Sequence, residues 1–411
     1  MKEAVRVGDG PTRVQVPGCI TAPRGFVAGG VACGIKPQGL DLGMLYCEVP
    51  AVSAAVFTQN AFRAAPLVVT EESLVRDGRL QMVVVNSGNA NACTGERGLA
   101  DARRVRRMAA ERFGIAEHHV AVASTGVIGV FLPMENLERG IAAVQLTAEA
   151  GSGQFATAIC TTDTRRKTSQ LQLTVDGRTV TIAGAAKGAG MIHPNMATML
   201  VFLTTDAAVE RAALTDALRA AVDDSFNMIS VDGDTSTNDM VLVMASGLAE
   251  NRPLSPSHPD WPAFVEGLTE VCVELAKQIA RDGEGATHII EATVEGAADR
   301  SMARRVARSI VQSNLVKTAV YGGDANWGRI VMAVGNSGCT VVPDKVRVWL
   351  GTVQVVENGM PTVYDEAAAT AELAPELVKI RVHLGLGQAQ ATAWGSDLTE
   401  GYIHINGSYR S

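Results

Sequence analysis

The sequence predicts an α+β fold of stacked sheets sandwiched by helices, and three observations carry that expectation. Hydrophobic residues make up 47% and charged residues 19% of a 411-residue chain, enough to fill a sizeable core. Short runs rich in valine and isoleucine, bounded by glycine, asparagine or aspartate, have the character of strands. Segments with a 3.6-residue apolar period fall between groups of those runs and not after each one, which disfavours a strictly alternating parallel fold.

In chain order, the strand runs are QMVVVN (81–86), HVAVAS (119–124), LQLTV (171–175), TMLVFLT (198–204), MVLVMAS (240–246), HIIEATVE (288–295), VRVWLG (346–351), KIRVHLGL (379–386) and AQATAWG (389–395). Helical periodicity is clearest over 98–113, 134–149, 207–224, 261–281 and 297–317. ENRPLSPSHPDWP (250–262), with four prolines, reads as a linker or as a loop entering the helix at 261. A second break is expected through 183–197, where glycines and a proline precede Thr198.

Several function classes drop out. A net charge of −7 disfavours a nucleic-acid surface, and the basic clusters 102–112 and 300–308 are flanked by acids, as solvated helix faces are. No apolar stretch approaches 18 residues, so no membrane span is expected. The N-terminus lacks the apolar region of a signal peptide. Seven scattered cysteines without a C-x-x-C pair suit reduced thiols in the cytoplasm. The histidines lack zinc-site spacing, so no metal is expected.

One seam stands out. KGAGMIHPNMATML (187–200) delivers a single hydroxyl residue, Thr198, from a glycine loop to the head of an apolar run. Taken alone, a threonine opening a strand is a β-propensity choice. The alternative is chemical. If its hydroxyl attacks the carbonyl of Ala197, the peptide becomes an ester that water hydrolyses. Thr198 then heads a new chain, with an α-amine whose pKa of about 7.7–8 lets it take the hydroxyl proton. An intact peptide nitrogen cannot do this, because its lone pair is delocalised into the amide.

Ten blocks in one order resemble the ornithine acetyltransferases, or glutamate N-acetyltransferases, of arginine biosynthesis. They are GIKPQGLDLGML (34–45), AAVFTQNAFRAAP (54–66), NSGNANACTG (86–95), STGVIG (124–129), TTDT (161–164), KGAGMIHPNMATML, DGDTSTND (232–239), DGEGAT (282–287), LVKTAVYGGDANWGRI (315–330) and YIHINGSYRS (402–411). The resemblance implies a fold similar to the N-terminal-nucleophile hydrolases with different connectivity. It also implies self-cleavage between Ala197 and Thr198 into an α chain 1–197 and a β chain 198–411, intertwined in one catalytic body. The implied reaction moves the acetyl group of N2-acetyl-L-ornithine to L-glutamate through acetyl-Thr198. No cofactor is needed, although acetyl-CoA could serve as a second acetyl donor, and the implied assembly is an α2β2 heterotetramer. A related self-cleaving aminopeptidase or amidohydrolase is the alternative.

By the same resemblance, Thr125 and Gly126 form the oxyanion hole, against the plain reading of a strand-terminating glycine. Thr161, Lys187, Thr198, Glu284, Asn406 and Ser411 are implied substrate contacts. From the residues alone, Thr161 could be a strand-edge threonine, with Thr162 and Thr164 competing for the role. Lys187 could be solvated and Glu284 part of a C-terminal helix turn. DGDTSTND lacks the EF-hand glycine at its sixth position and has Val243 at its twelfth, so a polar turn near the active site is expected. Trp327 in GDANWGRI reads as a core aromatic. Three positions depart from the family pattern: Arg166 replaces an expected proline, Ser396 stands where many relatives carry cysteine, and His288 where lysine is common.

Overall fold

The structure, a computed structural model, describes residues 14–16, 18–193 and 199–407. Among them are the strands β1 (Val14–Val16), β2 (Phe26–Val31), β3 (Leu42–Phe57), β4 (Arg79–Asn89), β5 (Val120–Val127), β6 (Lys167–Val175), β7 (Arg178–Lys187), β8 (Leu200–Thr205), β9 (Ile229–Ser230), β10 (Met240–Ala245), β11 (Ile289–Ala297), β12 (Arg347–Leu350), β13 (Val353–Glu357), β14 (Met360–Pro361), β15 (Leu377–His383) and β16 (Ala389–Ser396). The α-helices are α1 (Ala65–Asp77), α2 (Gly95–Phe113), α3 (Met134–Ala143), α4 (Glu149–Ala158), α5 (Arg211–Asp223), α6 (Trp261–Arg281), α7 (Arg300–Gln312), α8 (Asn314–Tyr321), α9 (Trp327–Gly335), α10 (Glu366–Ala371) and α11 (Glu400–Asn406). The expected α+β class is what the chain adopts. Its contacts divide it into two compact units: Met1–Gly188 with Asn195–Asp223 and Thr235–Leu275, and Ala189–Pro194 with Asp224–Asp234 and Ala276–Ser411.

The first unit is built on a nine-stranded mixed sheet in the order β1-β6-β7-β8-β10-β3-β4-β5, with β2 also paired to β3. The apolar runs of β4 and β5 are buried on both faces, and their period of two sorts them. Met82, Val84, Val120 and Val122 face α2 and α3 through Ala102, Val105, Leu137 and Ile141. Val83, Val85, Ala121 and Ala123 join the opposite core with Phe155 of α4 and Phe202 of β8. Those two rings meet edge to face, 5.4 Å apart at 76°.

Strand β8 lies between β7, antiparallel, and β10, parallel. Its register with β7 sets Leu200 opposite Lys187. The carbonyl of Met199 accepts the Met240 N–H at 3.0 Å, so the ladder reaches the residue after Thr198. β7 occupies 178–187, where the sequence predicts a break from 183. Gly184 belongs in it because a Cβ there would lie 2.7 and 2.8 Å from the side chains of Leu203 and Leu275. The proline-rich 250–262 stretch is a loop within this unit. Leu254 is buried and pairs with Val209, and Asn251 binds both backbone groups of Ala208.

The second unit holds a seven-stranded sheet in the order β14-β13-β12-β15-β11-β16-β9. Helix α7 covers β11 and β16 with a stripe of Met302, Ala303, Val306, Ala307, Ile310 and Val311. Gly395 lets it come close, since a Cβ there would sit 2.9 Å from the Val311 Cβ. The predicted helix 297–317 divides at Ser313, whose hydroxyl caps α8 through the Val316 N–H. The predicted 134–149 likewise ends at Ala143, and a separate helix starts at Glu149. Trp327 is half-buried at the start of α9, correcting its reading as a core residue. All seven cysteines are free thiols, and Cys93 alone among them is exposed.

Asp299 caps α7 by accepting the Met302 N–H at 2.8 Å. Asp299→Ala is expected to cost about 0.5–2 kcal/mol, read as a lower urea midpoint at unchanged slope.

Candidate active site

The site residues predicted from the sequence fall into two clusters, one in each unit, while Ala197, Thr198 and Ser411 lie outside the described residues. In the first unit Thr125 and Gly126 sit inside the last turn of β5's pairing with β4, which runs on to Val127 instead of stopping at Ser124. Gly126 has φ +132°, and a Cβ there would fall 2.3 Å from the Gly88 carbonyl carbon and 2.5 Å from the Asn89 nitrogen. Neighbouring backbone, itself bent by Gly88 at φ +98°, occupies the space of any side chain. The ladder shifts register at Asn89, a bulge of the kind that re-aims strand residues beside active sites.

A polar scaffold fixes this turn. Ser124 donates its hydroxyl to Asn86 Oδ1 at 2.6 Å, and Asn86 Nδ2 donates to the Asn89 carbonyl at 2.8 Å. Asn238, from the DGDTSTND block, donates Nδ2 to the carbonyls of Ala90 (2.6 Å) and Ser124 (2.8 Å). That block is the polar turn the sequence predicts, and its asparagine holds the peptide leading into Thr125.

Lys187, at the end of β7, donates Nζ to Thr125 Oγ1 at 3.3 Å. A hydroxyl that accepts from an ammonium has its own proton free to donate elsewhere. Beside it, the side chain of Asp163 of TTDT has no exposed surface. It accepts Lys167 Nζ (2.6 Å) and the Gly188 N–H (2.7 Å) through Oδ1, and the Thr161 N–H (3.0 Å) through Oδ2. Burial alone would raise its pKa, but the charges of Lys187 and Lys167 and the Gly188 donor outweigh it and hold the carboxyl at about 2. One carboxylate thus ties the backbone of Thr161 to that of the residue after Lys187.

Three further titratable groups, Asp41, Lys36 and Asp239, belong to the cluster, and sequence reasoning missed all three. Asp41 accepts the N–H groups of Cys33, Gly34, Ile35 and Lys36 at 2.7–3.0 Å, shaping the GIKPQGLD loop. From that loop Lys36 donates Nζ to the Cys160 carbonyl at 3.0 Å, just before Thr161. Burial lowers the Lys36 pKa, opposed by the negative groups around it. Asp239 is buried with no hydrogen-bond partner for its Oδ2 among the described residues, and burial lifts its pKa well above the carboxylate range against the pull of Lys187.

In the second unit Glu284 and Asn406 do meet: Asn406 Nδ2 donates to Glu284 Oε2 at 2.7 Å. The Glu284 N–H donates to the Ala189 carbonyl at 2.8 Å. A Cβ on Gly190 would lie 2.4 Å from the Glu284 carboxyl, so the second glycine of KGAG makes room for that group. Departing positions are accommodated locally. His288 pairs with buried Asp397 at 3.0 Å, and the Ser396 side chain packs where a Cβ on Gly283 would be.

Two groups of metal-capable side chains occur among the described residues, Asp77–His118–His119 and Asp176–His258–Asp260. In each the central carboxylate is already engaged, Asp77 by His119 at 2.9 Å and Asp176 by Arg252 at 2.5 Å. No helix among the described residues is long and apolar enough to cross a membrane.

The ArgJ family model matches residues 27–411. The chain belongs to the ArgJ family. Among its relatives, the arginine biosynthesis bifunctional protein ArgJ of Geobacillus kaustophilus is 56% identical over 395 residues, 96% of each chain. That of Bacillus subtilis is 53% identical over 398 residues, 97% of this chain and 98% of its own. A crystal structure of arginine biosynthesis bifunctional protein argJ from Bacillus halodurans, 53% identical, superposes with a TM-score of 0.51, spanning 52% of this chain and all of its own.

Two outcomes test the geometry. Gly126→Ala drives a methyl into the β4 backbone and is expected to destabilise by about 1–3 kcal/mol, with a matching fall in the urea midpoint. Asp163→Asn removes the negative charge that Lys167 Nζ meets at 2.6 Å in a buried setting, an expected loss of about 3–5 kcal/mol, and Asp163→Asn with Lys167→Met should recover most of it. Because the folded carboxyl is depressed, its stabilisation is complete above the ordinary value of 3.8 and disappears as pH falls through about 2. The double variant should therefore lose less stability than the wild type between pH 4 and pH 2.

Proposed function

We propose that this chain cuts itself between Ala197 and Thr198 and then moves the acetyl group of N2-acetyl-L-ornithine to L-glutamate. The observation that carries this reading is a register. Two residues past Thr198, Leu200 pairs with Lys187, and Lys187 donates to the hydroxyl of Thr125. One cross-strand pair thus links the described residues just past the seam to Lys187 and, through it, to Thr125, which supports the reading.

In the first reaction Thr198 Oγ adds to the Ala197 carbonyl and the C–N bond breaks, leaving an ester. Water hydrolyses it, releasing the Ala197 carboxylate and a free α-amine on Thr198. In the second, that amine takes the hydroxyl proton while Oγ adds to the acetyl carbonyl, and Thr125 and Gly126 stabilise the oxyanion. The acetyl C–N bond breaks and ornithine leaves with the proton; the amine of glutamate then adds to the acetyl ester, the ester C–O bond breaks, and the proton lost by that amine returns through the Thr198 α-amine to Oγ. Lys187 suits the α-carboxylate common to both amino acids, and Glu284, held by Asn406, suits the side-chain ammonium of ornithine. Thr161 contributes from the turn that Asp163 fixes, and Ser411 is the remaining substrate contact.

Cleavage at the seam would leave β8, the first strand of the β chain 198–411, paired with β7 of the α chain 1–197, which supports their staying intertwined in one body. Residues 198–411 also make the same share of this sequence as the 52% spanned by the Bacillus halodurans chain. The reading extends to an α2β2 heterotetramer in the cytoplasm that uses no cofactor. Acetyl-CoA is the proposed second acetyl donor, as the word bifunctional in the relatives' names suggests.

A denaturing gel with N-terminal sequencing should show two fragments, one beginning Thr-Met-Leu-Val, while Thr198→Ala stays in one piece and transfers no acetyl. Thr125→Val should lower the transfer rate about 10²–10³-fold. An unbroken chain that transfers acetyl, or label from N-acetylornithine released as free acetate despite glutamate, would overturn the reading.

A further inference from the structure

A second carboxylate grips the chain just ahead of the seam. Asp232, two residues past β9, accepts the Met191 N–H through Oδ2 at 2.5 Å and the Ile192 N–H through Oδ1 at 3.0 Å. The Ile192 carbonyl in turn accepts the Val231 N–H at 2.8 Å, so two short backbone segments are cross-linked both ways. Met191 is held at φ +56°, a left-handed conformation that a non-glycine residue adopts only under constraint.

The grip is itself anchored. The buried Lys317 of α8 donates Nζ to the Val231 carbonyl. The Tyr402 hydroxyl donates to Asp232 Oδ2 at 3.2 Å, and the Asp234 N–H to Oδ1 at 3.1 Å. None of these groups has a part in the acetyl transfer described above. What they fix is Ile192, five residues before Ala197.

We propose that Asp232 is a positioning residue for self-cleavage, holding the backbone of Met191 and Ile192 so that the chain enters the Ala197–Thr198 peptide from a fixed point. The inference rests on the self-cleavage reading. An intramolecular acyl shift gains its rate from a preset approach of nucleophile to carbonyl, and slack in the preceding chain dilutes that approach.

The test is a pulse of cell-free synthesis of the full chain followed by a chase, with intact and cleaved fractions read on denaturing gels. Asp232→Ala is expected to cleave at least tenfold more slowly than wild type. Asp232→Asn, which keeps an acceptor for Ile192 but turns an amide toward Met191, should be intermediate and decides the matter if the alanine variant fails to fold by circular dichroism. Asp299→Ala, which removes a carboxylate from a backbone donor elsewhere in the same unit, should lower stability and leave the cleavage rate unchanged. Folded Asp232 variants that cleave at the wild-type rate, or an equal slowing in Asp299→Ala, overturn the inference while leaving self-cleavage standing. A wild-type chain that never cleaves overturns both.

Discussion

Strand β8 is hydrogen-bonded along both edges, and most of what the first unit can do depends on that double pairing. A strand with a partner on each side has no free ladder, and because β8 is buried on both faces, one residue of slippage would exchange its side chains between two differently filled cores. Its buried residues Leu200, Phe202 and Leu203 resist such a shift. Fixing β8 fixes Met199, and with it the point from which the preceding threonine is attached. It also sets the end of β7, and hence Lys187, opposite Leu200. The sheet is therefore an alignment device as well as a core.

Around that alignment the charges are arranged unevenly. Asp163 is paired directly with Lys167 and lies in the field of Lys187, while Lys36 approaches from a loop shaped by Asp41. Lys167 is the cation that Asp163 meets at contact distance, while Lys187 acts on it from further away. Buried carboxylates in this unit have opposite fates: Asp163, surrounded by cations and N–H donors, stays ionised to low pH, and Asp239, with fewer donors, is pushed toward its neutral form. The environment, not the residue type, decides.

Much of the fold was legible because its signals are local. β10, β16 and α6 lie within a residue of their predicted 240–246, 389–395 and 261–281, and β4 and β5 were announced by their apolar runs although they continue to Asn89 and Val127. The misses have physical causes. β3 runs through Pro50, where its pairing with β4 shifts register between Tyr46 and Ala51, so no uninterrupted period of two announces it. β7 ends in small residues, TIAGAAK, whose strand character comes from close packing and not from branched side chains. At the site, Thr125, Gly126 and Lys187 were readable only through a whole set of motifs. The carboxylates and amide that fix backbone at or near these positions, Asp163, Asn238 and Asp41 in the first unit and Asp232 in the second, were inside quoted blocks yet carried no legible role. Their function is to bind backbone groups distant in sequence, and nothing in a linear string says which peptide an aspartate will cap.

The thiols carry a practical corollary. Cys33, Cys47 and Cys160 have pKa values pushed up to about 12, first by burial, and Cys272 is raised by burial as well. A thiol that stays protonated is a poor nucleophile toward maleimides and iodoacetamide. Cys93 is the thiol exposed to solvent, two residues past Asn91 in the loop that continues from β4. A fluorophore attached there at neutral pH would report on the asparagine-rich corner behind Thr125 without any engineered cysteine.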